Sequence, residues 1–222
     1  MTLRAKLLTE LVGSFVFMIV IAMSGSAGQL APLAIGVGLM AMVYMGGHIS
    51  GAHYNPAISF GLFLRRVIDA RTMAAYWAAQ LVGGVLAFAF GYALIAHTPG
   101  IHPGTATSWL SALSAELVFT AALVIVVLNT AATKATAGNS YYGLAIGLTV
   151  TAGAFAVGPI SGAAFNPAVG VGATVAAAIF DHGSWSDLWL YIVGPLAGAV
   201  IAAGIHSVQT PAAPVAPEKS ER

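Results

Sequence analysis

Residues 48–61 read HISGAHYNPAISFG, and residues 159–172 read PISGAAFNPAVGVG. Each stretch centres on the triplet Asn-Pro-Ala: Asn55, Pro56, Ala57 in the first and Asn166, Pro167, Ala168 in the second. Asparagine is a preferred N-cap, and proline suits the first helical position, where a missing N–H costs nothing. Each triplet therefore predicts the start of a helix. The apolar runs that follow, 56–64 and 167–180, are too short to cross about 30 Å of hydrocarbon at 1.5 Å per residue. They read as half-helices.

The surroundings repeat as well. Residues 33–61 and 144–172 align without a gap, Asn55 falling on Asn166, and 14 of 29 positions are identical. TELVGSFVFMIVIA from Thr9 likewise echoes AELVFTAALVIVVL from Ala115. A doubled motif in register with a larger repeat is not an ordinary pair of Asn-Pro turns. Six long apolar segments can be marked, at about 7–23, 30–47, 73–95, 113–132, 142–159 and 188–208, each near the length of a membrane-crossing helix. Each repeat thus holds three spans and one half-helix. Because three is odd, the second repeat lies upside down relative to the first. The expected fold is an all-α membrane protein with six transmembrane helices, two re-entrant half-helices and inverted three-span repeats. It forms one domain over 1–208, with repeats at about 4–95 and 113–208.

Composition agrees. Of 222 residues only 7% are charged and 59% are apolar, against roughly 25% charged in soluble domains. The net charge of +1 argues against a nucleic-acid partner. There is no cysteine, which excludes disulfides and thiol chemistry. Lys and Arg fall at the N-terminus (Arg4, Lys6), between spans two and three (Arg65, Arg66, Arg71), between four and five (Lys134) and at the C-terminus (Lys219, Arg222). Positive loops stay inside, so both termini are expected in the cytoplasm, with the chain in the plasma (inner) membrane. The opening run could pass for a secretory signal, but it contains Glu10 and belongs to the repeat. Residues 209–222, rich in Pro and Ala, read as a disordered cytoplasmic tail.

Two opposed half-helices would meet near the bilayer midplane with both positive dipole ends facing one point. Non-helical backbone at that depth is tolerated only where it is buried in protein or lines an aqueous cavity. The amides of Asn55 and Asn166 can donate to a passing water oxygen. A water held by two donors turns both hydrogens away, which interrupts proton hopping. The device would pass neutral molecules and stop charge.

These motifs, GHISGAHYNPA and a glutamate early in spans one and four resemble the aquaporin (major intrinsic protein) family over residues 4–208. The resemblance implies a right-handed six-helix bundle and a homotetramer with one pore per subunit. It implies passive passage of water and small neutral solutes across the lipid bilayer, with no cofactor, no metal and no enzymatic step. It also implies that Glu10 and Glu116 accept hydrogen bonds from the backbone leading to the half-helices, the other reading of these carboxylates being a proton relay. His48, at the place of the family's histidine, is expected in a structural hydrogen-bonding role.

The outer constriction departs from the family pattern. Alignment on the motifs puts it at Ile35, Ala154, Ala163 and Val169, where most relatives carry arginine at the last position. This apolar quartet predicts a wide, weakly selective passage for water and for glycerol, urea, ammonia or hydrogen peroxide. Gly170 stands where glycerol-specialised relatives have an acidic residue. The alternatives are a proton- or sodium-coupled secondary transporter built on inverted repeats, and a low-permeability structural membrane protein. His97, His102 and His182 fall in outer loops, and Asp187 is expected to cap span six.

Overall fold

The structure, a computed structural model, describes residues 1–97 and 100–210. Among these residues every regular element is helical. The long helices are α1 (Leu3–Met23), α2 (Ala31–Ser50), α4 (Ala70–Ile95), α5 (Trp109–Val127), α6 (Tyr142–Ser161) and α8 (Leu188–Gln209). The short ones are α3 (Pro56–Leu64) and α7 (Pro167–Phe180). Five apolar helical runs are long enough to cross a bilayer, and the first, Leu3–Ser50, has 48 residues. That is more than twice the roughly 20 a crossing needs. It folds back at Gly28 (φ 54°, ψ −126°), a backbone that only glycine adopts readily, and so supplies two spans. Six spans result.

The spans pack through small residues, as expected where lipid offers no hydrophobic drive between helices. A Cβ on Gly36 would meet the backbone oxygen of Gly147 at 2.5 Å, and the reverse holds for Gly147 and Gly36, so α2 and α6 touch backbone to backbone. Gly83 lies on Leu11 and Ser14 of α1, and Gly91 lies on Ala22, so α4 runs parallel to α1. Gly194 lies on Leu113 and Glu116 of α5, and Gly198 on Thr120 and Ala121, so α8 runs parallel to α5. The same relation holds in both repeats. Large apolar side chains such as Leu86, Phe90, Val118, Leu148, Phe155 and Val200 are exposed, the arrangement of a molecule whose solvent is hydrocarbon. The protein is a multi-pass integral membrane protein.

Six spans leave Met1 and Thr210, the ends of the described residues, on one face, the termini face, with the opposite one the loop face. The α5 helix ends in a π-type turn, Leu128–Ala132. Beside it His206 bridges two elements: Arg65 Nε donates to its Nδ1 at 2.9 Å, and its Nε2 lies 2.9 Å from Thr133 Oγ1. Gln209, expected to open a disordered tail, is helical instead. Gln209 closes α8 and accepts from Asn129 Nδ2 at 2.9 Å, which holds that turn helical. Residues 211–222 lie outside the described residues.

Candidate functional site

Each half-helix begins at its triplet. Asn55 and Asn166 are extended N-caps whose Oδ1 atoms accept from Ala57 N at 2.8 Å and Ala168 N at 2.9 Å, with proline at the first helical position. The two caps are tied across the repeat boundary. Asn55 Nδ2 donates to Phe165 O at 2.8 Å, and Asn166 Nδ2 donates to Tyr54 O at 2.9 Å. An amide nitrogen carries two hydrogens, so each asparagine keeps one for another acceptor.

The segments before the caps hold unusual backbone. Gly51 (φ 92°) and Gly162 (φ 87°) end the preceding helices in the left-handed region, where glycine costs least. Ala52, Tyr54, Ala163 and Phe165 follow at φ 52°, 50°, 51° and 49°, which costs of order 1–3 kcal/mol for each non-glycine residue. Two buried carboxylates hold this backbone. Glu10 accepts from Ser50 Oγ (2.6 Å), His53 N (3.0 Å), Tyr54 N (2.8 Å) and Gln80 Nε2 (2.8 Å). Glu116 accepts from Ser161 Oγ (2.7 Å), Ala164 N (3.0 Å) and Phe165 N (2.7 Å). Tyr76 and Tyr191 donate from their hydroxyls to the carbonyls of Ser50 and Ser161, both at 2.7 Å. Tyr54 fills a notch between Gly13 and Gly46, and Phe165 packs on Gly153 and stacks on Phe119.

A cavity of about 220 Å³ leads from the loop face to the two asparagines. Ile35, Ala154, Ala163 and Val169 all line it, as do Asn55 and Asn166 at its floor. Among the described residues, no Lys, Arg, Asp or Glu lines it. A second cavity of about 290 Å³ opens on the termini face and includes His48, Thr136, Asn139 and Tyr142. The two cavities stop one helical turn apart: Leu39 and Val150 line the first, Val43 and Ile146 the second. An apolar girdle separates them.

Several residues stand differently from expectation. His48 is exposed in the second cavity, and no described residue hydrogen-bonds its ring; its place in the last turn of α2 turns it to the mouth. The buried histidine with a bonding role beside the motif is His53, whose Nδ1 lies 2.9 Å from Ser59 Oγ. Asp187 stands at the N-cap position of α8 without capping it; its carboxylate lies 4.0 Å from His102 Nδ1. Asp69 does cap α4, accepting from Thr72 N at 2.7 Å. Among the described residues no three His, Asp or Glu side chains form a metal-binding group, and His97 pairs instead with Asp181 at 3.8 Å. Reasoning from sequence missed Ser50, Gln80, Ser161, Tyr76 and Tyr191. The identical Ser-Gly-Ala before each triplet was the one available signal for the two serines.

The sequence profile described as Major intrinsic protein matches residues 1–206. The chain is 38% identical over 178 residues to "Aquaporin NIP1-1" of Oryza sativa subsp. japonica, covering 78% of this chain and 60% of the relative. It therefore spans about three fifths of that relative's length. It is 30% identical to "Putative aquaporin NIP4-1" of Arabidopsis thaliana, covering 93% of this chain and 75% of the relative. The aquaglyceroporin structure from Plasmodium falciparum superposes with a TM-score of 0.77 at 20% identity, covering 92% of this chain and 96% of that one, which bears on the fold. The profile match over nearly the whole chain, on a six-span fold with two opposed half-helices, places this protein in the major intrinsic protein family.

Proposed function

We propose that the chain is a passive channel for water and small neutral solutes, among them glycerol, urea, ammonia and hydrogen peroxide. The observation that carries this reading is the meeting of two helix N-termini, each with an asparagine amide, at the floor of a largely apolar cavity. Positive partial charge from both helices repels cations there, and the spare amide hydrogens orient a passing water. Ile35, Ala154, Ala163 and Val169 put only small or aliphatic groups at the outer constriction, so neutral solutes larger than water meet no cationic donor. A coupled transporter would use a carboxylate that gains and loses a proton. Glu10 and Glu116 instead spend their oxygens on backbone and side-chain donors, which favours the channel.

The orientation that fits has both termini in the cytoplasm, because Arg4, Lys6, Arg65, Arg66, Arg71 and Lys134 all belong to the termini face. Four copies side by side, one pore each, would cover part of the exposed apolar flank. Stopped-flow swelling of proteoliposomes under water, glycerol and urea gradients tests the reading. Water and at least one larger solute are expected to pass without saturation, and Val169→Arg to cut the larger solute's flux roughly tenfold while sparing water. Flux no greater than that of protein-free vesicles would refute the channel, and flux of water alone would refute the wide constriction.

A further inference from the structure

The quartet of Ile35, Ala154, Ala163 and Val169 leaves the space of the missing guanidinium open on paper. The structure puts another side chain beside it. Ile101 belongs to the connection between α4 and α5, yet it lines the same cavity as the quartet and packs on the central apolar cluster. Its Cγ2 stands 3.0 Å from the place a Cβ on Gly162 would occupy, so it presses on the backbone next to Ala163. It also borders a small pocket against Ala173 and Thr174 of α7, the helix that carries Val169. Ile101 is thus wedged between the end of α6 and the flank of α7, over the outer mouth.

Its seat is fixed rather than incidental. Gly104 N donates to Ile160 O at 3.1 Å, and a Cβ on Gly104 would collide with Pro159 O, so this connection lies directly on the end of α6. Thr107 N donates back to Gly104 O at 2.8 Å and closes the turn. A branched aliphatic chain in a polar connection, turned inward, fills space that a short side chain would leave to solvent.

We propose that Ile101 is a fifth wall of the constriction and sets the upper size of solute that enters. This rests on the channel reading above and narrows it: the mouth is apolar, but bounded on the side where Val169 is too short to reach. Polyols and amides of the size of glycerol and urea would slide against Ile101 on their way to the asparagines. Truncating the side chain should widen the mouth without touching the asparagines.

The test uses the full chain in proteoliposomes, which is convenient because it has no cysteine. Ile101→Ala should raise the ratio of glycerol to water flux roughly threefold or more, since pore diameter decides which neutral solutes pass. Ile101→Cys, labelled with a charged methanethiosulfonate added on the loop-face side, should lose more than half its water flux. Ala106→Cys, exposed on the same connection, should label without loss. Ala163→Cys separates the two claims. If Ala163→Cys is blocked while fully labelled Ile101→Cys conducts normally, the fifth wall is wrong and the channel stands. If labelled Ala163→Cys also conducts normally, the pore route itself is wrong and the fifth wall falls with it.

Discussion

The two halves share a scaffold and differ in what surrounds it. In the first, Glu10 receives four donors, and a polar cluster of His53, Ser59 and Gln80 lies behind the half-helix: Gln80 Nε2 reaches Ser59 Oγ at 3.0 Å, and Ser59 Oγ meets His53 Nδ1. In the second, Glu116 receives three donors, and the matching places hold Ala164 and Gly170. A Cβ on Gly170 would stand 2.5 Å from that of Tyr191, so no side chain fits where Ser59 sits in the other half. The half-helices differ too, with 9 residues in α3 and 14 in α7. What both halves keep is what the backbone demands: a carboxylate, a serine, a tyrosine hydroxyl and a capped asparagine. Divergence falls on the support behind them and on the cavity walls.

That contrast can be broken most directly at the carboxylates. Glu10→Ala would strand four buried donors and Glu116→Ala three, and each stranded group costs about 1–3 kcal/mol. Both variants are expected to lose most of their folded yield, Glu10→Ala more completely, as read by thermal unfolding in detergent. Gln80→Met should bring the first site down to the level of the second. A costlier loss at Glu116 would show that donor number does not rank the halves.

Gly170→Ser sharpens the same comparison at smaller scale. Installing the side chain that the first half carries should overpack Tyr191 and cost about 1–3 kcal/mol, lowering the unfolding midpoint, whereas Ser59→Ala should cost less. An unchanged midpoint for Gly170→Ser would mean that α7 and α8 are free to part.

The smallest effect concerns the third span of each half. Thr72 N–H, donating to Asp69, holds that carboxyl below the usual carboxylate range, while Asp187 caps nothing. A lowered value in the folded state means the cap contributes above the ordinary carboxylate range and is lost as pH falls through the depressed value. Protection of the amides at the start of α4, with exchange rates referred to an unfolded chain at the same pH, should therefore fall in acid. Asp69→Asn, which caps without titrating, should remove that dependence. Identical acid profiles for the two chains would remove Asp69 from the account.

Much of the fold was legible because its signals are local. The half-helices begin at Pro56 and Pro167 and end at Leu64 and Phe180, as read from the Asn-Pro starts and the apolar runs after them. The long spans extend a few residues beyond the hydropathic segments, because polar residues such as Thr72 and Ser111 fit the first turn. The site was legible in its motif and in its two glutamates, and not in the rest of its support. Gln80 and Glu10 are 70 residues apart in the chain, and nothing in either neighbourhood announces the bond between them. Ile101 was invisible for a similar reason: its role comes from where a connection folds. His48 carried a sequence likeness, but the bonding partners lie around His53, one turn deeper.

The crossed amide bonds carry a consequence for how the molecule is made. Asn55 completes its bonding on a carbonyl that the ribosome has yet to supply when the first three spans enter the bilayer, and Tyr54 waits likewise for Asn166. The amino-terminal half by itself therefore lacks the partners of the Asn55 amide and the Tyr54 carbonyl. Both bonds need the carboxy-terminal half upside down beside it, so the junction of the half-helices is completed only by the docking of the two halves.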